Sequence, residues 1–156
     1  MIYKSVFSSP LGYIEICADG GEEVTRIYFT SSPSKTYTES ENTALAAKQL
    51  DEYFKGERKT FDFPVKAEGT LFQEQVWEQC RKTDYGKTTT YKEIATAIGD
   101  DKAARAVGNA LDNNPLLIVV PCHRVIRKNN FLSGFSAGAA VKEALLNFEK
   151  NNLKNG

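Results

Sequence analysis

Apolar positions near the start of the chain recur with a period of two. Ile14, Ile16 and Ala18 alternate with Tyr13, Glu15 and Cys17, which predicts a strand with one buried face. Residues 4–9 read as a strand before it, across Pro10-Leu11-Gly12, a turn by composition. Gly20-Gly21 offers a tight turn into a third strand over 24–30, where Thr25, Ile27 and Phe29 share a face. After a Ser-, Thr- and Pro-rich loop the period changes. Ala46, Leu50, Tyr53 and Phe54 fall on one helical face between 43 and 55, and Gly56 stops that helix. Phe61, Phe63 and Val65 alternate again, but Pro64 restricts them to an edge strand or linker.

The second half reads as helices. Thr70-x-x-Gln73 is a capping box opening a helix that carries Phe72, Val76, Trp77 and Cys80. Thr90-x-x-Glu93 is a second box, after which Tyr91, Ile94, Ala95 and Ile98 share a face until Gly99. Asp100 or Asp101 is expected to cap a third helix through Leu111, with Ala103, Val107, Ala110 and Leu111 inward. The pair fits a helix-turn-helix, and equally any two antiparallel helices. On the outer face Arg105, Gly108, Asn109 and Asp112 lie opposite Val107 among small residues. Either that smooth surface approaches a groove with Arg105 projecting, or Arg105 is an ordinary solvated side chain. Beyond Asn113-Asn114-Pro115, the all-aliphatic run 116–120 predicts a strand buried on both faces.

Composition narrows the classes. The 156 residues suffice for one domain or two small ones, and 41% apolar with 26% charged residues excludes a disordered chain. The longest aliphatic run is five residues, against about 20 for a membrane span. The first ten residues lack the apolar core of a signal peptide, so a cytoplasmic protein is expected. Three dispersed cysteines make no disulfide framework, and with one histidine they match no zinc-ligand spacing, so no metal is expected. Twenty basic and twenty acidic residues cancel, which argues against a polyanion partner. The balance is uneven, however, because residues 81–128 hold nine basic against five acidic side chains.

The aliphatic run leads directly into Pro121-Cys122-His123-Arg124. A cysteine beside the only histidine is a candidate nucleophile, because attack needs the thiolate and a base to form it. Arg124 and Arg127 would add charge favouring that thiolate. Cys122 as a core thiol remains open at this point, as do a sequence-specific helix-turn-helix regulator and a cysteine hydrolase.

Pro121-Cys122-His123-Arg124-Val125 resembles the active-site motif of the O6-alkylguanine-DNA alkyltransferases, the methylated-DNA–protein-cysteine methyltransferases. Tyr85-Gly86-x-x-Thr89-x-Tyr91, the run from Lys102 to Gly108, Asn114-Pro115 and Val141-Lys142-Glu143-x-Leu145-Leu146-x-x-Glu149 resemble the family in order and spacing. The likeness covers residues 70–149, and the N-terminal half matches in length and pattern only.

The resemblance implies an α+β fold. A small ribonuclease-H-like α/β domain would span 1–68, and a helical domain with a winged helix-turn-helix would span 69–156. It implies repair of O6-alkylguanine in duplex DNA, with O4-alkylthymine a further candidate, through a minor groove only about 6 Å wide. Arg105 matches the arginine that replaces the extruded base, and Tyr91 the tyrosine that turns the nucleotide outward and donates a proton to guanine. The small residues Ala104 and Gly108 would face the DNA. Cys122 matches the alkyl acceptor, His123 a base acting through water, and Glu149 the residue orienting that histidine. Asn114 would hold the active-site turn, while Ser136 and the backbone of Val125 match contacts to the guanine edge. The scheme implies no cofactor, and because a thioether is not reduced back, each molecule acts once. A monomer is expected, with cooperative loading on DNA left open. Phe135 stands where a tyrosine is common and Asp84 where a proline is frequent.

Overall fold

The sequence alternation at the N-terminus folds into a three-stranded antiparallel meander, β1 (Ile2–Ser9), β2 (Gly12–Asp19) and β3 (Arg26–Thr30). The computed structural model describes residues 1–127 and 138–155. Ser5 lies opposite Ile16, which lies opposite Ile27, so these three share one face of the sheet. Helix α1 (Glu41–Phe54) covers that face, with Ala46, Leu50 and Tyr53 buried and the Ser5 hydroxyl bonded to Thr43 Oγ1 at 3.0 Å. Its start is fixed by a reciprocal capping box between Ser40 and Thr43.

The expectation of a single buried face on β2 fails, because Glu15 and Cys17 are buried as well. β2 is the central strand, and the segment after β3 crosses its other side. The Ser34 N–H donates to Glu15 Oε1 at 2.7 Å, Lys4 Nζ lies 3.5 Å from the same carboxylate, and the Tyr28 hydroxyl donates to it. Burial alone would raise the Glu15 pKa, but the bonds from Tyr28 and Ser34 and the charge of Lys4 outweigh it and hold the pKa down at about 2. Residues 61–65 form a linker with one parallel bridge, Val24 to Val65.

The remaining helices are α2 (Leu71–Arg81), α3 (Tyr91–Ala97), α4 (Ala104–Asp112) and α5 (Ala139–Asn155). Thr70 and Gln73 make both arms of their capping box. Thr90 accepts from the Glu93 N–H, but the Glu93 carboxylate takes the Thr89 hydroxyl at 2.8 Å instead, so the second box has one arm. Neither Asp100 nor Asp101 caps α4. Asp100 Oδ1 accepts the Lys102 N–H at 3.2 Å, a local turn that uses up the cap and delays the helix to Ala104. The inner face of α4 is as expected, with Ala103, Val107, Ala110 and Leu111 all buried. The Trp77 indole N–H donates to Ala110 O at 2.8 Å and fixes α2 on α4.

The run 116–120 is not a strand. Leu116 makes one parallel bridge to Ile27, and the chain then turns through Ile118 at φ 70°. All five side chains are nonetheless buried, so the aliphatic run reports enclosure rather than extension. A β-branched residue at positive φ is strained, a cost of about 1–3 kcal/mol that the enclosure of Ile118 must offset. The chain divides into two units, Met1–Glu68 with Pro115–Leu117, and Gly69–Asn114 with Ile118–Gly156. Among the described residues no helix is long and apolar enough to cross a membrane.

Candidate active site

Cys122 opens a single 3-10 turn, Cys122–Arg124. Its N–H donates to Val120 O at 2.8 Å, the Arg124 N–H to Pro121 O at 2.9 Å, and the Val125 N–H back to Cys122 O. The chain then continues as β5 (Val125–Ile126), which pairs in parallel with β4 (Thr89–Thr90), the residues immediately before α3. That short ladder ties the cysteine turn to the helix that starts with Tyr91.

Asn114 Nδ2 donates to Val120 O and to Cys122 Sγ, both at 2.9 Å. The Cys122 thiol lies 3.5 Å from Leu111 O, and its exposure is only 5%. His123 is fully buried. Its Nε2 lies 2.6 Å from Glu149 Oε2, while Nδ1 is buried with no partner among the described residues.

Glu149 is also fully buried and carries most of the polar load. Arg124 donates to it twice, Nε to Oε1 at 2.9 Å and Nη2 to Oε2 at 3.0 Å, and the Gly86 N–H donates to Oε1 at 3.0 Å. Gly86 sits at φ 76°, and a Cβ there would come within 2.1 Å of Leu153 Cδ1, so only glycine presents this N–H. Arg124 Nη1 donates to Thr83 O at 2.8 Å and its guanidinium stacks over the Tyr85 ring. Burial would raise the Glu149 pKa, yet the His123 bond and the Arg124 charge outweigh it and hold the carboxyl well below its ordinary range. Burial lowers the His123 pKa despite Glu149. The group is therefore a cation, a carboxylate and a neutral imidazole in contact at pH 7. Arg124 is consumed by this pairing, so its charge serves Glu149 rather than a Cys122 thiolate, contrary to the expectation from sequence.

Tyr91 is half-buried at the start of α3. Lys142, without solvent exposure, places Nζ 3.5 Å from the Tyr91 hydroxyl and 5.7 Å from its ring centroid. Burial lowers the Lys142 pKa, outweighing the attraction of Cys122 and Asp112. Tyr91 also lines a cleft of about 930 Å³ between α3 and α4, together with Ala104, Arg105, Gly108, Asn109, Asp112 and Arg127. Arg105 is exposed there, and Gly108 leaves room for the Tyr91 ring.

The structure thus brings together Cys122, His123, Glu149 and Asn114, and separately gathers Tyr91, Arg105, Ala104 and Gly108 on the cleft. Val125 is buried with its N–H already committed. Ser136 and Phe135 lie outside the described residues. Two contributors carry no sequence signal of their role: Arg124 as the partner of Glu149, and Lys142 against Tyr91. Among the described residues no cluster of His, Cys, Asp or Glu could hold a metal ion.

Residues 2–67 match the family model of the 6-O-methylguanine DNA methyltransferase ribonuclease-like domain, and residues 71–151 that of its DNA binding domain. The constitutive methylated-DNA–protein-cysteine methyltransferase of Bacillus subtilis is 40% identical, over 99% of each chain. A Methanosarcina acetivorans protein of the same name is 42% identical over 95% of this chain and 98% of its own. Among solved structures, the Mycobacterium tuberculosis O6-methylguanine methyltransferase superposes with a TM-score of 0.87 at 36% identity, covering 97% of this chain and 94% of its own. The same bacterium's protein in complex with DNA gives 0.86 at 38% identity, covering 96% and 94%. With both halves matched by its models and full-length relatives at this identity, the chain belongs to the methylated-DNA–protein-cysteine methyltransferase family.

Proposed function

We propose that this protein repairs duplex DNA by moving the alkyl group of O6-alkylguanine onto the sulfur of Cys122, once per molecule. The single observation that carries this reading is the Glu149–His123 pair with its unpartnered, buried Nδ1 next to Cys122 in the chain. A water on Nδ1 would take the thiol proton, and the ionised Glu149 would hold Nε2 as the protonated nitrogen. Such base assistance is worth about 10²–10⁴ in rate. The thiolate sulfur bonds to the alkyl carbon, the carbon–O6 bond breaks, and its electron pair leaves with guanine.

The leaving guanine takes a proton from Tyr91, whose hydroxyl Lys142 polarises. Asn114 steadies the sulfur and the turn. Arg105, Ala104 and Gly108 form the face of α4 offered to the minor groove, and Arg105 fills the place of the flipped nucleotide. Guanine-edge contacts fall to the Val125 carbonyl and Ser136. Residues 1–68 serve as the N-terminal domain and 69–156 as the DNA-binding, alkyl-accepting one, with O4-alkylthymine a second substrate.

Incubation with an O6-methylguanine duplex, followed by weighing the intact protein, tests the reading. One added methyl on Cys122, absent in Cys122→Ala, is expected. An unchanged mass overturns it, and repeated turnover would indicate a hydrolase instead.

A further inference from the structure

The cleft face of α4 carries Arg105, Gly108, Asn109 and Asp112 at i, i+3, i+4 and i+7, one stripe along the helix. Asp112 ends that stripe. It is exposed on the cleft, and among the described residues its side chain has no hydrogen bond and no ion pair. Two charges oppose an acid at this position. As the last residue of α4 it faces the negative end of the helix dipole, and on a surface that meets DNA the phosphates repel it. Lys92, Arg105 and Arg127 on the same cleft can take phosphates, whereas a carboxylate offers only acceptors. The floor of the minor groove is lined with acceptors as well, adenine N3 and thymine O2. Its one donor is the N2 amino group of guanine.

We propose that Asp112 is a specificity-determining residue, whose carboxylate accepts a hydrogen bond from the N2 amino group of an undamaged guanine near the lesion and so speeds repair beside a G·C pair. The inference rests on the reading that lays this face of α4 in the minor groove. Ala104 and Gly108 let the helix backbone come close there, so a side chain as short as aspartate meets the groove floor. Beside an A·T pair the same carboxylate loses water and meets only acceptors, which is unfavourable. Asp112 follows Arg105 by seven residues, about 10 Å along a helix axis. Bases on one strand rise about 3.4 Å each, so the guanine read by Asp112 lies within about three pairs of the lesion that Arg105 marks. Neither Arg105 nor the small residues of the stripe can draw this distinction, since none of them offers an acceptor side chain.

The test measures single-turnover repair by the intact protein, at sub-saturating concentration, on O6-methylguanine duplexes whose flanks are otherwise A·T. One G·C pair, in either orientation, is moved through the three positions on each side of the lesion. At one position a gain of about fivefold or more over the all-A·T flank is expected. Inosine in place of that guanine removes the N2 amino group while keeping the pair with cytosine, and should cancel the gain. Asp112→Ala should cancel it too, on the guanine duplex. Each comparison is a ratio of duplexes within one protein, so a uniform change in the variant's rate does not enter. Equal wild-type rates at every position, a gain that survives inosine, or a gain that survives Asp112→Ala overturns the proposal. So does an Asp112→Ala protein that is faster on all duplexes by the same factor, because the acid would then only repel phosphates. Wild-type protein that takes up no methyl from any duplex would instead defeat the alkyl-transfer reading, before contexts are compared.

Discussion

Glu149 holds the His123 ring at 2.6 Å through a carboxylate that stays ionised because the His123 bond and the two bonds from Arg124 outweigh its burial. Two adjacent residues of the cysteine turn are thus tied to a single acid on α5. One of them is the proposed base, and the other helps to keep the acid charged.

Glu149→Gln removes the charge and leaves Arg124 buried without its partner. Breaking a buried pair from one side costs about 3–5 kcal/mol, so a lower urea midpoint is expected. Transfer from free O6-benzylguanine in the folded fraction should slow by about 10² or more as the histidine loses its oriented tautomer. Arg124→Lys keeps the charge but not the two-pronged geometry. It should destabilise the protein while slowing transfer less than Glu149→Gln. Equal rates in wild type and Glu149→Gln would remove His123 from the base role.

The site and the fold were not equally legible in the sequence. The period-two strands, α1 and the inner face of α4 follow from hydrophobic spacing, since each buries its apolar face against a neighbour, although β2 buries its other side too. The run 116–120 misleads because burial selects aliphatic residues whether the backbone is extended or turning, and nothing local marks Ile118 as left-handed. Capping boxes are readable as residue pairs, yet the Glu93 carboxylate had a competing donor in the Thr89 hydroxyl, one residue farther back than Thr90. The Cys122-His123 pair is visible as chemistry, and the family likeness supplied Glu149. Neither could show that Arg124 is bound to Glu149, because that depends on how α5 packs against the cysteine turn.

Acid should weaken the protein in two stages. The His123 pKa is lowered on folding, so below the ordinary value of 6.5 the unfolded chain takes up a proton that the folded site refuses. Stability is therefore full above pH 6.5 and declines as the pH falls toward the folded value. Glu15 acts lower, its contribution being present above 4.5 and lost as the pH falls toward about 2. Transfer from O6-benzylguanine should stay level from about pH 8 down through 6.5, because the imidazole remains a neutral base. A rate that halves at pH 6.5, or a urea midpoint flat from pH 7 to 5, would contradict the lowered His123 pKa.

Arg105 is exposed on the cleft, and the described residues give it no hydrogen bond or ion pair. Arg105→Ala should therefore leave the melting temperature unchanged within error. Filling the gap of an extruded base offsets part of an unstacking cost of a few kcal/mol, and about 1.4 kcal/mol is tenfold in rate. Repair of an O6-methylguanine duplex should slow by at least about tenfold, with little change toward free O6-benzylguanine. Equal losses on both substrates would exclude a role in flipping.

Gly108 sets stability against access on the same helix. It lies inside α4, where glycine costs about 0.5–1 kcal/mol relative to alanine. A Cβ there would meet Tyr91 Cδ1 and Cε1 at 3.7 Å, an ordinary contact. Gly108→Ala should therefore raise the melting temperature of the unit carrying it, by about 2–8 °C. The same methyl projects into the cleft face that the proposed reading lays against a narrow groove, so duplex affinity should fall while reaction with free O6-benzylguanine is kept. Gly108→Leu should lose both, because the longer side chain must displace the Tyr91 ring. Calorimetry and a duplex titration on the three proteins check the pattern. A lower melting temperature in Gly108→Ala would mean that the Tyr91 packing has no room for a methyl. An unchanged duplex affinity would mean that the small-residue face of α4 does not touch DNA.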